Sequence, residues 1–205
     1  MKKNGLLIVI SGPAGVGKGT ICKAYMDKYP DASLSRSATT RAPRVGETDG
    51  VEYDFVSKED FEYMIDKNEL IEYVNVFDNY YGTPKKYVEE TTGSGNDVIL
   101  EIEIVGAMNV KKMYEDAVLI FVMPPSAQVL EKRLRDRATD SDEQIKKRLS
   151  RMIEEVREMQ NYDYFVVNDT VEKSVEQVRT IIEAQRLSVN RFGAKEIQYY
   201  LKSVN

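Results

Sequence analysis

Histidine and tryptophan are absent from this 205-residue chain, and cysteine occurs once, as Cys22. Without histidine there is no imidazole for a Ser–His nucleophilic pair and no histidine metal ligand. A single cysteine cannot close an intrachain disulfide, which suits a reducing, cytoplasmic compartment. Cys22 itself reads as a small buried apolar residue rather than a reactive thiol. No run approaches the roughly 20 apolar residues of a membrane-spanning helix. The apolar run after Met1-Lys2-Lys3 is too short for a leader and feeds straight into a glycine-rich turn, so it belongs to the fold. Hydrophobic residues at 42% and charged residues at 31% are ordinary for one domain with its own core and room for inserted subdomains. The net charge of −5 argues against a nucleic-acid surface spread over the molecule. It leaves a mononucleotide site open, because local arginine clusters decide that.

What is present is organised around Gly12-Pro13-Ala14-Gly15-Val16-Gly17-Lys18-Gly19-Thr20. Before it, Leu6–Ser11 is a short apolar run of the buried-strand type. After it, Ile21, Cys22, Tyr25 and Met26 recur at helical spacing. Strand, glycine-rich turn and helix form the context that a phosphate-binding loop requires. Glycines let successive N–H groups curl toward phosphate oxygens, and the helix N-terminus adds partial positive charge. Lys18 supplies a mobile full charge to the outer phosphates. The residue after it is Gly19 where Ser or Thr is usual, which leaves Thr20 as the hydroxyl that could face Mg²⁺.

Further along, apolar strands alternate with helices, which argues for βαβ units and a parallel sheet. Strand-like pieces are Val98–Leu100 running into Glu101, Ala117–Met123 and Tyr164–Val167. Helices are expected over Val105–Tyr114, over two charged stretches within 126–160, and over Val171–Leu187. From Asp31 to about Gly95 the character changes to Tyr, Thr, Arg, Gly and Asp, with strand-like Val51–Val56 and Leu70–Phe77. A helix over Ser57–Lys67 opens on a Ser57–Asp60 capping pattern. This segment reads as an inserted α+β subdomain. The tail 188–205 is weakly patterned and carries no assigned function.

Two arginines, Arg41 and Arg44, flank the stiffening Pro43 and could grip one phosphate from two sides, since the guanidinium fork matches phosphate bidentately. Read alone, they are also compatible with a solvated basic turn. They stand, however, within Ser37-Ala38-Thr39-Thr40-Arg41-Ala42-Pro43-Arg44, Gly46-Glu47, Gly50 and Tyr53, and are followed by Glu72 and by Asn79-Tyr80-Tyr81-Gly82-Thr83. With the phosphate loop, this arrangement closely resembles the guanylate kinase family over roughly residues 5–187. The resemblance implies an α/β fold: a P-loop three-layer sandwich on a parallel core sheet, an inserted α+β nucleoside-monophosphate-binding subdomain and a helical lid. Core segments would be 1–32, 94–126 and 160–205, the GMP-binding subdomain 33–93, and the lid 127–159.

The same resemblance implies transfer of the γ-phosphoryl of MgATP to GMP, and to dGMP. Arg41, Arg44, Tyr53 and Tyr81 would hold the GMP phosphate, and Ser37, Glu72, Thr83 and Glu103 would read the guanine. A carboxylate such as Glu72 suits guanine because it can accept both N1–H and N2–H, whereas adenine has no N1–H. Gly12 through Thr20 would cradle ATP, with Asn168 on its adenine side. The catalytic charges would be Lys18, Arg41, Arg133, Arg137 and Arg148; Arg133 and Arg137 share a helix face. Lys132, Arg135 and Lys147 fall outside the family pattern and read as solvated helix charges. Glu101, after an apolar strand, would act near Mg²⁺, directly or through water, or pair with Lys18. ATP and GMP are the expected partners of a monomer or homodimer, with no nucleic acid and no membrane. Three departures from the family pattern stand out: Ala14 in the loop, Val105 after Glu103, and Ala138 in the lid turn. Two other readings are a non-catalytic interaction module of the same fold, and a phosphate-loop kinase with another acceptor.

Overall fold

A computed structural model describes residues 4–44, 46–76, 78–136, 141–191, 197–198 and 201–202. Its main sheet is built from β1 (Leu7–Ser11), β2 (Ala32–Leu34), β7 (Asp97–Glu101), β8 (Val118–Met123) and β9 (Tyr164–Val167). Their order is β2-β7-β1-β8-β9 and every neighbouring pair is parallel. Strand β1 is buried along its whole length, which explains its continuous apolar run: a parallel strand covered on both faces has no polar side to present.

The alternation of side chains along β1 divides the interior in two. Ile8 and Ile10 join a core with Ile21, Cys22 and Tyr25 of α1 (Lys18–Lys28) and with Val175, Val178 and Ile182 of α7 (Val171–Arg186). The same core takes Leu130 and Leu134 of α5 (Ala127–Asp136) and Ile145 of α6 (Asp142–Arg157). Leu7 and Val9 face the opposite way, to Val88 of α3 (Lys85–Gly93) and Ala107 and Val110 of α4 (Ile104–Met113). The result is three layers, helices–sheet–helices, and the fold class is α/β as expected.

A second, mixed sheet has the order β4-β3-β6-β5. It comprises β3 (Ser37–Thr39), β4 (Tyr53–Phe55), β5 (Leu70–Val76) and β6 (Asn79–Pro84), with α2 (Lys58–Asp66) against it. Its small core of Ala38, Phe61 and Leu70 is separate from the other two. Ile71 of β5 leaves that sheet to join the α4 side of the main core, tying the two parts together.

Local signals place the helix ends. Ser57 Oγ accepts the Asp60 N–H and caps α2, while its own hydroxyl turns to the Asp60 carboxylate. A reciprocal capping box opens α6 instead, between Ser141 and Gln144. Helix α3 and strand β6 have no counterpart in the sequence reading. Within 51–56 only Tyr53–Phe55 is strand, because Asp49 Oδ1 takes the Phe55 N–H and holds the preceding residues in a turn. The start of the tail is tied back where Arg191 donates to the Asn4 carbonyl.

Candidate active site

The carboxyl ends of β1, β7, β8 and β9 carry the loops that form the site, as expected for ligands on open parallel sheets. The loop 12–17 leaves β1 and closes on Gly17, the N-cap of α1, at φ 95°. Two of its glycines are obligatory for space as well as dihedral. A Cβ on Gly12 would stand 2.2 Å from the Val122 carbonyl oxygen, and one on Gly17 would stand 2.6 Å from Asn168 Nδ2. Lys18, only 9% exposed, donates from Nζ to the Gly12 carbonyl at 2.7 Å and lies 3.4 Å from that of Pro13. Its charge is thereby held inside the curl of the loop.

Asn168, buried after β9, braces that curl. Its Nδ2 donates to the Val16 carbonyl at 2.7 Å, and its Oδ1 accepts from the Ser174 hydroxyl at 3.1 Å. Arg133 on α5 donates to the Asn168 carbonyl at 2.8 Å and reaches the Val16 carbonyl at 3.4 Å. The two residues lie beside the loop, as the sequence suggests, but both act on its backbone. Ser174, the far brace, was not expected; its one signal is a small polar residue on the buried stripe of α7.

Gly19 and Thr20 lie on the exposed first turn of α1. The Glu101 carboxylate comes so close that a Cβ on Gly19 would stand 3.2 Å from its Oε2. The glycine after Lys18 thus stands in tight but yielding contact with an exposed carboxylate. Among the described residues no three carboxylate, cysteine or histidine side chains gather as a metal cage. Glu101 and Thr20 are oxygen donors of the kind a hard cation accepts when it also carries phosphate oxygens and water.

On the second sheet, Glu72 of β5 is 5% exposed, and the hydroxyl of Thr83 on β6 donates to its Oε1 at 2.8 Å. Burial pushes the Glu72 carboxyl up to about 7, against the lowering effect of Thr83. Gly106 on the first turn of α4 makes room for it: a Cβ there would stand 2.6 Å from Glu72 Oε2. Glycine inside a helix costs about 1 kcal/mol against alanine, so this one marks a close approach. The sequence reading passed over it.

Arg41 is held in a bidentate pair with Glu47, Nη1–Oε2 2.8 Å and Nη2–Oε1 3.0 Å. Glu47 also accepts the Arg44 N–H at 2.7 Å, so one carboxylate organises both arginines of the turn. The Arg41 partnership holds the Glu47 carboxyl below its ordinary range. The Arg41 guanidinium lies over Tyr53 and Phe55, 5.3 and 5.6 Å from their ring centroids, and Tyr53 meets Tyr81 edge-on at 6.1 Å. Glu47 stands in the quoted motif but had been given no task. Ser37 sits on β3 opposite Tyr53 of β4.

Glu103 is the N-cap position of α4; burial raises Glu155 of α6 and Tyr162, and the Glu103 charge adds a smaller push to both. Arg148 lies partly buried on α6. Arg135 pairs with Glu131 and Asp142 in solvent, the bland role expected of it. Arg137 and Ala138 lie outside the described residues. Val105 is 57% exposed on the first turn of α4.

Comparison with known proteins shows the family. The sequence model of the family described as guanylate kinase matches residues 4–185. A protein of Caldanaerobacter subterraneus subsp. tengcongensis named guanylate kinase is 50% identical over 191 residues, 93% of each chain. One of Symbiobacterium thermophilum with the same name is 48% identical over 201 residues, 98% of this chain and 95% of its own. The crystal structure of guanylate kinase from Anaplasma phagocytophilum superposes with a TM-score of 0.79 at 31% identity, covering 96% of this chain and 94% of that one. The chain belongs to the guanylate kinase family.

Proposed function

We propose that the activity of this family, phosphorylation of GMP to GDP at the expense of ATP, is carried out here by the residues just described. The observation that carries the reading is the buried Glu72–Thr83 pair. A carboxylate in a nearly dry pocket needs donors, and guanine presents N1–H and N2–H side by side where adenine would leave the oxygens unmatched. Ser37 and Glu103 complete the guanine side, and Arg41, Arg44, Tyr53 and Tyr81 take the GMP phosphate. Residues Gly12–Thr20 take the ATP phosphates through backbone N–H groups and Lys18, and Asn168 keeps the loop in shape on that side.

Transfer between two phosphates calls for no general base, because the acceptor oxygen is already ionised near neutral pH. The chain's work is to align two anions and offset the charge between them. Lys18, Arg41, Arg133, Arg137 and Arg148 are the cations for that. Mg²⁺, when bound with ATP, would help neutralise the charge developing on the phosphates; Thr20 and Glu101 are the side chains that would hold it, Glu101 directly or through water. Segments 33–93 and 127–159 would act as GMP-binding and lid units on a core of 1–32, 94–126 and 160–205.

The test is ADP release with MgATP and each of GMP, dGMP, AMP, UMP and CMP, alongside Lys18→Ala. Turnover confined to guanine nucleotides and lost in the variant is expected. Turnover with another acceptor would sink the role given to Glu72. Binding of GMP without turnover would favour a non-catalytic module.

A further inference from the structure

Thr39 and Thr40 stand between β3 and the Arg41 turn, and their hydroxyls take over where the strand ladder stops. Strand β3 pairs antiparallel with β6 through Ala38–Gly82 and Thr39–Tyr81, which puts Thr40 opposite Tyr80. A regular antiparallel pair at that register exchanges two backbone bonds. One is made: the Thr40 N–H donates to the Tyr80 carbonyl at 3.1 Å. The reciprocal Tyr80 N–H goes instead to Thr40 Oγ1, at 2.9 Å. A hydroxyl thus stands in for the backbone carbonyl, and the main chain is released to turn away with Arg41 while Tyr80 stays satisfied. Thr39, fully buried, closes the other side of the turn. Its hydroxyl donates to the same Tyr80 carbonyl at 2.9 Å, and its Oγ1 accepts the Arg41 N–H at 3.2 Å. Tyr80 is itself fixed, its ring stacked on Phe61 at 5.2 Å between centroids. The next residue is Tyr81, whose ring meets Tyr53 edge-on, and Tyr53 lies under the Arg41 guanidinium.

We infer that Thr39 and Thr40 are positioning residues for the acceptor phosphate: through the Tyr80 backbone they fix Arg41, past the end of one strand, against Tyr81 on its neighbour. Neither threonine needs to touch the nucleotide. A phosphate gripped from two elements is held only as accurately as those elements are held to each other, and misplacement by about 1 Å can cost about a hundredfold in rate. An ordinary threonine at a strand end would stabilise the sheet and leave phosphate recognition alone. Here both hydroxyls act on the one residue that precedes Tyr81. The inference rests on the proposed role of Arg41 and Tyr81 at the GMP phosphate.

The experiment compares Thr39→Val and Thr40→Val, which keep the shape and lose the hydroxyl, with Thr39→Ser and Thr40→Ser, which retain it. KM for GMP and for ATP is read beside competitive inhibition by guanosine, which has the base but no phosphate. Each Val variant is expected to raise KM for GMP about tenfold or more, with KM for ATP and the guanosine inhibition constant little changed. Each Ser variant is expected to return most of the way to the unmodified values. Equal weakening of GMP and guanosine, an unchanged KM for GMP beside a lower thermal midpoint, or Ser variants that behave like the Val ones would overturn the inference. If Thr39→Val fails to fold, Thr40→Val, at a half-buried position, decides. If the unmodified protein binds GMP without turnover, the proposed reaction falls, and direct titration of the variants with GMP and guanosine still decides this inference. If it binds no GMP at all, both fall.

Discussion

Glu72 concentrates the consequences of a single residue. Its carboxyl sits near 7 in the folded chain, against about 4.3 for an unperturbed glutamate. The folded state thus binds more protons than the unfolded state between those values, and stability falls as pH rises through that window. Above it, the cost of keeping the carboxylate ionised is fully present. Replacement by Gln should raise stability at pH 8 by up to about 3 kcal/mol, and the gain should vanish by pH 4; denaturant melts at both pH values check this. The same ionised form is needed to accept the guanine donors, so KM for GMP should rise about tenfold between pH 8 and pH 6. In Glu72→Gln that dependence should shrink to the titration of the GMP phosphate itself. The sequence named Glu72 and Thr83 together only through the family pattern; their partnership comes from β6 lying beside β5, with Glu72 opposite Thr83. The raised carboxyl was not legible in the sequence, because it depends on what covers Glu72.

At the scale of elements, the phosphate loop and α1 follow from local sequence, and α4 shows where local preference yields. Gly106→Ala should improve the intrinsic helix tendency of α4 by about 1 kcal/mol. Its methyl would nevertheless meet Glu72 Oε2 at 2.6 Å. The expected outcome is a higher KM for GMP, by tenfold or more, with little change in KM for ATP; equal changes in both would refute the steric account. Asn168→Ala tests the other element junction. Removing the 2.7 Å bond to Val16 leaves that carbonyl with only the 3.4 Å reach from Arg133, at a cost of about 1 kcal/mol, and the effect should appear as weaker ATP binding in a titration, with GMP binding intact. Helix α3 escaped the sequence reading because its Lys-Lys-Tyr-Val-Glu-Glu-Thr-Thr run has one fully buried apolar position, Val88, and too little periodicity to announce itself.

Across the whole molecule, one buried ion pair locks the main sheet to its last helix. Asp97, 5% exposed on its side chain, accepts the Leu6 N–H at 2.7 Å and pairs with Arg186 of α7 at 2.7 Å. Asp97→Ala should cost about 2–3 kcal/mol, lowering the thermal midpoint by about 5–10 °C, while kcat at 25 °C stays unchanged. The separate core around Phe61 predicts that the second sheet and α2 move as a unit. The radius of gyration from solution scattering should fall when ATP and GMP analogues bind together, and an unchanged radius would count against closure. The sequence by itself determined the phosphate loop, the parallel α/β core and the family pattern around Arg41, Glu72 and Tyr81. Those are set by short-range glycine spacing and by apolar runs that admit one burial pattern. Only the tertiary structure decided that Glu47 holds Arg41, that Asn168 and Arg133 brace the loop backbone, that Gly19 stands against Glu101, and that Gly106 yields space to Glu72. The Arg41–Glu47 pair lies within one turn, but the other contacts join residues brought together by chain crossings rather than by spacing, which no local pattern records.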